Sequence, residues 1–180
     1  AASGSVTASI GNSGMTGIVA NGYTGVYDGA YHGITVTLSG TSAGATVKYG
    51  TSAGSCTESA SPTYKEVGDY TVYYEVSKAN YETETGSATV SITAKTISSS
   101  TVTIEEITAQ AYTGNAITPA PTVKYGETTL SLGTDYTLGY SNNTNVGTAT
   151  ITVNGKGSYT GRATTTFEIV AGKMSGIKVT

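Results

Sequence analysis

The feature that most constrains this chain is that it repeats itself. Val67-Gly68-Asp69-Tyr70-Thr71-Val72 returns as Val146-Gly147-Thr148-Ala149-Thr150-Ile151, 79 positions later. Asn80-Tyr81-Glu82-Thr83 returns as Ser158-Tyr159-Thr160-Gly161, displaced by 78, and Tyr27-Asp28-Gly29 as Tyr112-Thr113-Gly114, displaced by 85. Two copies of one folding unit, separated by loop insertions, leave this pattern of ordered matches. The 180 residues are therefore expected to form two domains, at residues 14–95 and 96–172. The stretch Ala94-Lys95-Thr96-Ile97-Ser98-Ser99-Ser100 is expected as their junction. It is small and polar but too short for a free tether, so an end-to-end arrangement with limited bending is expected. The ends carry further echoes: Met174-Ser175-Gly176-Ile177 resembles Met15-Thr16-Gly17-Ile18, and Gly4-Ser5-Val6-Thr7 resembles Gly86-Ser87-Ala88-Thr89. Residues 1–13 are accordingly expected as the end of a preceding repeat or a tail. Residues 173–180 are expected as the start of a following repeat or a tail.

Each copy reads as β structure. Apolar residues recur with period two in Ile34–Leu38, Tyr70–Val76, Ala88–Ile92, Ala149–Val153 and Thr165–Ile169, while no long stretch shows helical spacing. A strand sends alternate side chains to opposite faces, so Tyr70, Val72, Tyr74 and Val76 should face a core. Thr71, Tyr73 and Glu75 should face water. Gly, Asn, Asp and Ser clusters between the runs mark turns. A domain of about 80 residues buries little more than about 60% of its unfolded surface, so its core is thin. Two sheets packed face to face suit that limit. Tyr suits it too, because the ring is buried while the hydroxyl reaches the wet rim. Tyr70, Tyr74, Tyr81, Tyr136 and Tyr159 are the expected core or rim rings.

Composition excludes several functions. Lys+Arg number 9 against Asp+Glu 12, for a net charge of −3. No basic stripe is present to engage nucleic acid phosphates. No apolar run approaches the roughly 20 residues of a membrane span, so no membrane insertion by this segment is expected. A single Cys and a single His exclude an internal disulfide framework and any site needing two of either.

The second copy also contains Tyr112-Thr113-Gly114-Asn115-Ala116-Ile117-Thr118-Pro119, Gly133-Thr134-Asp135-Tyr136-Thr137 and Ser141-Asn142-Asn143-Thr144-Asn145-Val146-Gly147-Thr148-Ala149, then Gly155-Lys156-Gly157-Ser158-Tyr159-Thr160-Gly161. With these segments the chain resembles the tandem immunoglobulin-like repeats of Gram-positive bacterial surface and secreted proteins. The first copy resembles a related repeat through Gly25-Val26-Tyr27-Asp28-Gly29 and Val67-Gly68-Asp69-Tyr70, although Ala30-Tyr31-His32-Gly33 departs from the form. The resemblance implies an all-β chain of two tandem immunoglobulin-like β-sandwich domains, extracellular, at a bacterial surface or secreted. It implies a non-catalytic stalk or spacer without cofactor, whose partners are neighbouring repeats of the parent chain. The alternatives are an adhesive or carbohydrate-binding module, and a self-assembling filament or surface-layer subunit. Their partners would be glycans or like subunits.

No residue is assigned to catalysis, cofactor or metal, and any ligand-binding residue is unknown, but several carry relevant chemistry. His32 has Asp28 near it in sequence, yet no nucleophile-elbow pattern completes a triad, and a turn or surface histidine is expected. Cys56 is expected as an incidental thiol, with no cation nearby in sequence to activate it. Asp135 and Asn142-Asn143-Thr144-Asn145 are oxygen-rich, but without converging carboxylates they suit turns better than calcium. Lys124 or Lys156 with Asn154 and Glu168 could in principle form an internal isopeptide bond, which requires a buried Lys beside an acid. Tyr73 and Tyr140 are candidate exposed rings for sugar stacking. Pro119-Ala120-Pro121 is expected to hold an edge extended and block strand addition there.

Overall fold

The computed structural model describes residues 11–172. The terminal echoes at 4–7 and 174–177 lie outside the described residues. The described chain is all-β, with one short 3-10 turn at Gly40–Ser42 and several sheets compatible with a β-sandwich. It divides between Thr93 and Ala94 into two compact units.

The first unit contains β1 (Ile18–Asn21), β2 (Tyr23–Val26), β3 (Thr35–Leu38), β4 (Thr46–Gly50), β5 (Gly68–Ser77) and β6 (Glu84–Thr93). β1 pairs β3 in one sheet, and the order β2-β6-β5-β4 makes the other. β5 and β6 are antiparallel, with Val72 opposite Ala88 and Tyr70 opposite Val90, while β2 runs parallel to β6. The chain passes from the first sheet to the second at Gly22. A Cβ at Gly22 would stand 2.1 Å from the Thr89 carbonyl oxygen, so only glycine lets the backbones approach this closely.

The core of this unit joins Ile34, Val72, Val90 and Ile92, with Val36, Tyr49, Tyr70 and Tyr74 packed against it. Val72 and Val76 are fully buried and Thr71 is exposed, as the alternation requires. Tyr73 and Glu75 differ from the expectation, for both are half-buried. The cause is the segment between β4 and β5, which returns along that face. Ala53, Gly54 and Cys56 line a depression of about 230 Å³ with Tyr73, Thr85 and Ser87.

The second unit contains β7 (Lys95–Ile97), β8 (Val102–Ile104), β9 (Gln110–Ala111), β10 (Val123–Tyr125), β11 (Thr128–Thr129), β12 (Tyr136–Ser141), β13 (Gly147–Gly155) and β14 (Tyr159–Val170). One sheet has the order β11-β10-β8. The other runs β12-β13-β14-β7, with β9 also on β14. Ala149, Ile151, Phe167 and Ile169 form its core, with Ile107, Ile117, Leu138 and Tyr140 packed around them. The expected junction is not a plain linker: Lys95–Ile97 pairs in parallel with Tyr159–Gly161, and Ile97 is buried. Three strand residues among serines and threonines are too few to show a period.

The matched segments take matching places within each unit. Tyr74 pairs with Gly86 and Val153 with Ala163; Tyr70 pairs with Val90 and Ala149 with Phe167. The Tyr27 N–H donates to the Thr93 carbonyl and the Tyr112 N–H to the Val170 carbonyl, each at 2.8 Å. Tyr136 and Tyr159 are buried as expected, but Tyr81 is only half-buried and lies outside the hydrophobic cluster. Its backbone bridges Ser13, and its ring sits 5.3 Å from the Lys78 ammonium.

Candidate functional site

A grouping of polar and aromatic side chains lies where the first unit departs from the repeat pattern. β2 ends at Val26, and Asp28-Gly29-Ala30 forms a turn in which Asp28 Oδ1 accepts the Ala30 N–H at 2.8 Å. Gly29 supplies the left-handed conformation, with φ of 80°. The next residues return as an extended segment. His32 and Tyr64 exchange backbone bonds of 2.9 and 2.8 Å. This brings the imidazole back over the turn: His32 Nε2 lies 3.0 Å from Asp28 Oδ1 and 3.1 Å from Oδ2. The carboxylate can only accept, so Nε2 carries the proton. The ring also stacks on Tyr23, with centroids 3.6 Å apart and planes within 8°. The His32 bond, followed by the Ala30 N–H, holds the Asp28 carboxyl below its ordinary value. The imidazole is thus oriented on a carboxylate, as in a catalytic dyad. The nearby Ser61 hydroxyl is engaged elsewhere, accepting the Ile34 N–H and donating to the Pro62 carbonyl. Tyr31 projects beside this corner, 68% exposed, with the Lys65 ammonium 5.7 Å from its ring centre.

The corresponding turn of the second unit shows what the fold itself needs. Thr113 Oγ1 accepts the Asn115 N–H at 3.3 Å and Gly114 has φ of 79°. Ile117 occupies the place of His32, bonded through its backbone to Asn143. A hydroxyl replaces the carboxylate, and no imidazole is required.

The other candidates have structural partners. Asn143 donates its side-chain N–H to the Ile117 carbonyl at 3.0 Å, and Asp135 Oδ2 accepts the Ser131 N–H at 2.8 Å. Residues 142–148 line an open polar depression of about 380 Å³ without a carboxylate among its lining residues. No group of three or more His, Cys, Asp or Glu side chains suited to a metal occurs among the described residues. Cys56 is half-buried, and burial followed by the Glu75 charge pushes its thiol up from the ordinary value.

The four candidate residues for an isopeptide bond are not brought together. Glu168 accepts from Thr148, Asn154 pairs with Arg162 toward the other end of β14, and Lys124 lies in the other sheet. Lys156 reaches the Gly133 carbonyl instead. That contact has a counterpart which sequence reading passed over: Lys78 Nζ donates to the carbonyls of Thr41 and Ala43, each at 2.8 Å. Both lysines stand three residues before their tyrosine, in Lys78-Ala79-Asn80-Tyr81 and Lys156-Gly157-Ser158-Tyr159, and that spacing was the available signal. Each ammonium ties a hairpin turn to the loop preceding an edge strand.

Tyr140 does not offer a free ring: it packs on the core and its hydroxyl donates to the Pro119 carbonyl at 2.8 Å. Pro119-Ala120-Pro121 lies outside the strands, and its outer carbonyls accept the Tyr140 and Tyr136 hydroxyls of β12. No protein-family model matches the chain, and a search of curated proteins returns no match.

Proposed function

We propose that the chain is a pair of tandem immunoglobulin-like β-sandwich modules serving as a non-catalytic spacer in a larger bacterial surface or secreted protein. The observation that carries this reading is the recurrence of the same tie points in each unit. Tyr27 to Thr93 and Tyr112 to Val170 close the parallel strand pairs. Lys78 and Lys156 hold the hairpin turns. Those bonds resist shear between strands, as a module under tension requires. Asp135, Asn143 and Glu168 each hold a hydrogen bond within their own unit. Low charge keeps broad electrostatic attraction small, which suits a spacer.

Pulling the chain between its ends in a single-molecule force experiment tests this reading. Two discrete unfolding steps, each releasing about one unit's length of chain, are expected. Extension without force peaks, or one step releasing both units together, would overturn it. Adhesion is the second reading, favoured by the exposed Tyr31 ring beside Lys65. Saturable glycan binding that is lost in Tyr31→Ala would establish it in place of a bare spacer.

A further inference from the structure

The edge strand of the second unit is bare where its counterpart in the first is covered. In the first unit, Tyr49 of β4 exchanges both backbone bonds with Glu58, at 2.8 and 3.0 Å, and Lys48 places a charge on the same strand. Residues 51–67, between β4 and β5, supply that cover. In the second unit only residues 142–146 join β12 to β13, and Pro119 and Pro121 meet β12 through the Tyr140 and Tyr136 hydroxyls, not through its outer backbone groups.

The hydrogen-bond phase of β12 shows which groups are left. Lys156 donates its N–H to the Asp135 carbonyl at 2.9 Å, so Tyr136 and Gly155 form a rung without its own bonds. Thr137 and Gly139 then turn their backbone groups toward β13, and Leu138 and Tyr140 turn theirs to the free edge. The Tyr136 carbonyl, on that same edge, is taken by the Gly133 N–H at 2.7 Å. The backbone groups of Leu138 and Tyr140 have no strand partner among the described residues. A bare row of this kind is a template for another strand. β12 carries no Lys, no Pro and no charged side chain to discourage one.

We infer that β12 is a self-association edge, paired antiparallel with β12 of a second copy about a two-fold axis at Gly139. The sequence Leu138-Gly139-Tyr140 is complementary to itself in this register. Leu138 of one copy meets Tyr140 of the other, and each such rung exchanges both N–H···O=C bonds. On the core-facing side, the Leu138 and Tyr140 side chains meet across the axis and extend both apolar clusters. On the other side Gly139 faces Gly139, with Thr137 opposite Ser141, so nothing bulky or charged opposes close approach. A two-fold axis consumes the edge, so assembly closes at the dimer.

A charge exchange at Gly139 tests this. A Cβ there meets nothing nearer than Asn154 Nδ2 at 3.7 Å, so the single unit has room for a side chain. The full chain is examined by sedimentation up to about 1 mM, a range that captures weak association. A reversible monomer–dimer equilibrium is expected. Gly139→Lys and Gly139→Glu should each weaken it at least about tenfold, because like charges then face each other across the axis. Mixing the two variants should restore dimers, which shows that both remain folded. A monomer at every concentration overturns the proposal. So do dimers indifferent to both variants, failure of the mixture to associate, or growth past the dimer.

Discussion

Tyr81 and Tyr159 occupy matching positions in the sequence, yet their surroundings predict unequal importance. Tyr159 is 7% exposed, and its ring lies 6.0 Å from that of Tyr125. Tyr81 is half-buried and outside the core cluster. A buried aromatic ring removes roughly 150–250 Å² from water. At about 25 cal/mol per Å², Tyr159→Ala should cost about 4 kcal/mol, within the range of about 3–5 kcal/mol for aromatic deletions in cores. A unit of about 80 residues has only about 4–12 kcal/mol in total. Tyr81→Ala, which loses part of that area and one exposed cation–π contact, should cost about 1–2 kcal/mol. Urea unfolding followed by NMR reads the units separately, through Val72 for the first and Ile151 for the second. With a slope of about 1–2 kcal/mol per M, Tyr159→Ala should lower the second midpoint by about 2–4 M and leave the first unchanged. The reasoning fails if Tyr81→Ala costs as much as Tyr159→Ala, or if both midpoints move together in either variant.

The lysine ties predict that Lys78→Met lowers the first unit's stability by about 1 kcal/mol, read from its urea midpoint, because two carbonyls lose a charged donor that is partly solvent-screened. Asp28 has a depressed folded pKa, so its contribution is present above the unfolded value of about 4 and is lost as pH falls through the folded value. Thermal unfolding below about pH 4 should therefore show a first-unit loss that Asp28→Asn abolishes. Cys56, with its thiol pushed up by burial, should react with a disulfide reagent at neutral pH more slowly than an unfolded cysteine, and urea should remove the difference. Gly114→Ala forces a side chain into a left-handed turn and should lower the second unit's midpoint by about 1 kcal/mol of stability.

The long strands were legible because burial on one face imposes period two. Val72, Val76, Val90, Ile92, Ala149, Ile151 and Val153 all fall on the apolar phase, and all are buried. Short strands were not: Ile18–Asn21 and Tyr23–Val26 are separated only by Gly22, and their pattern is half-buried and exposed in turn. Nothing local shows that the two halves join different sheets. Tyr73 misled because alternation assigns a face but cannot foresee a loop folding onto it. The Asp28–His32 pair was suggested by proximity in sequence, but its stacking on Tyr23 depends on where the return segment crosses. The lysine ties were recoverable from the repeat, whereas the covered and bare edges were not. Those depend on which backbone groups face outward, and side-chain periodicity does not record that.

The sheets of the two units close through the same backbone contact. Site-resolved hydrogen exchange on the Tyr27 and Tyr112 amides tests it most directly. Both donate to the last residues of a long central strand, at the same distance. Strong protection of both is expected, with each amide exchanging only when its own unit opens. A protected Tyr27 beside a freely exchanging Tyr112, or the reverse, would contradict it.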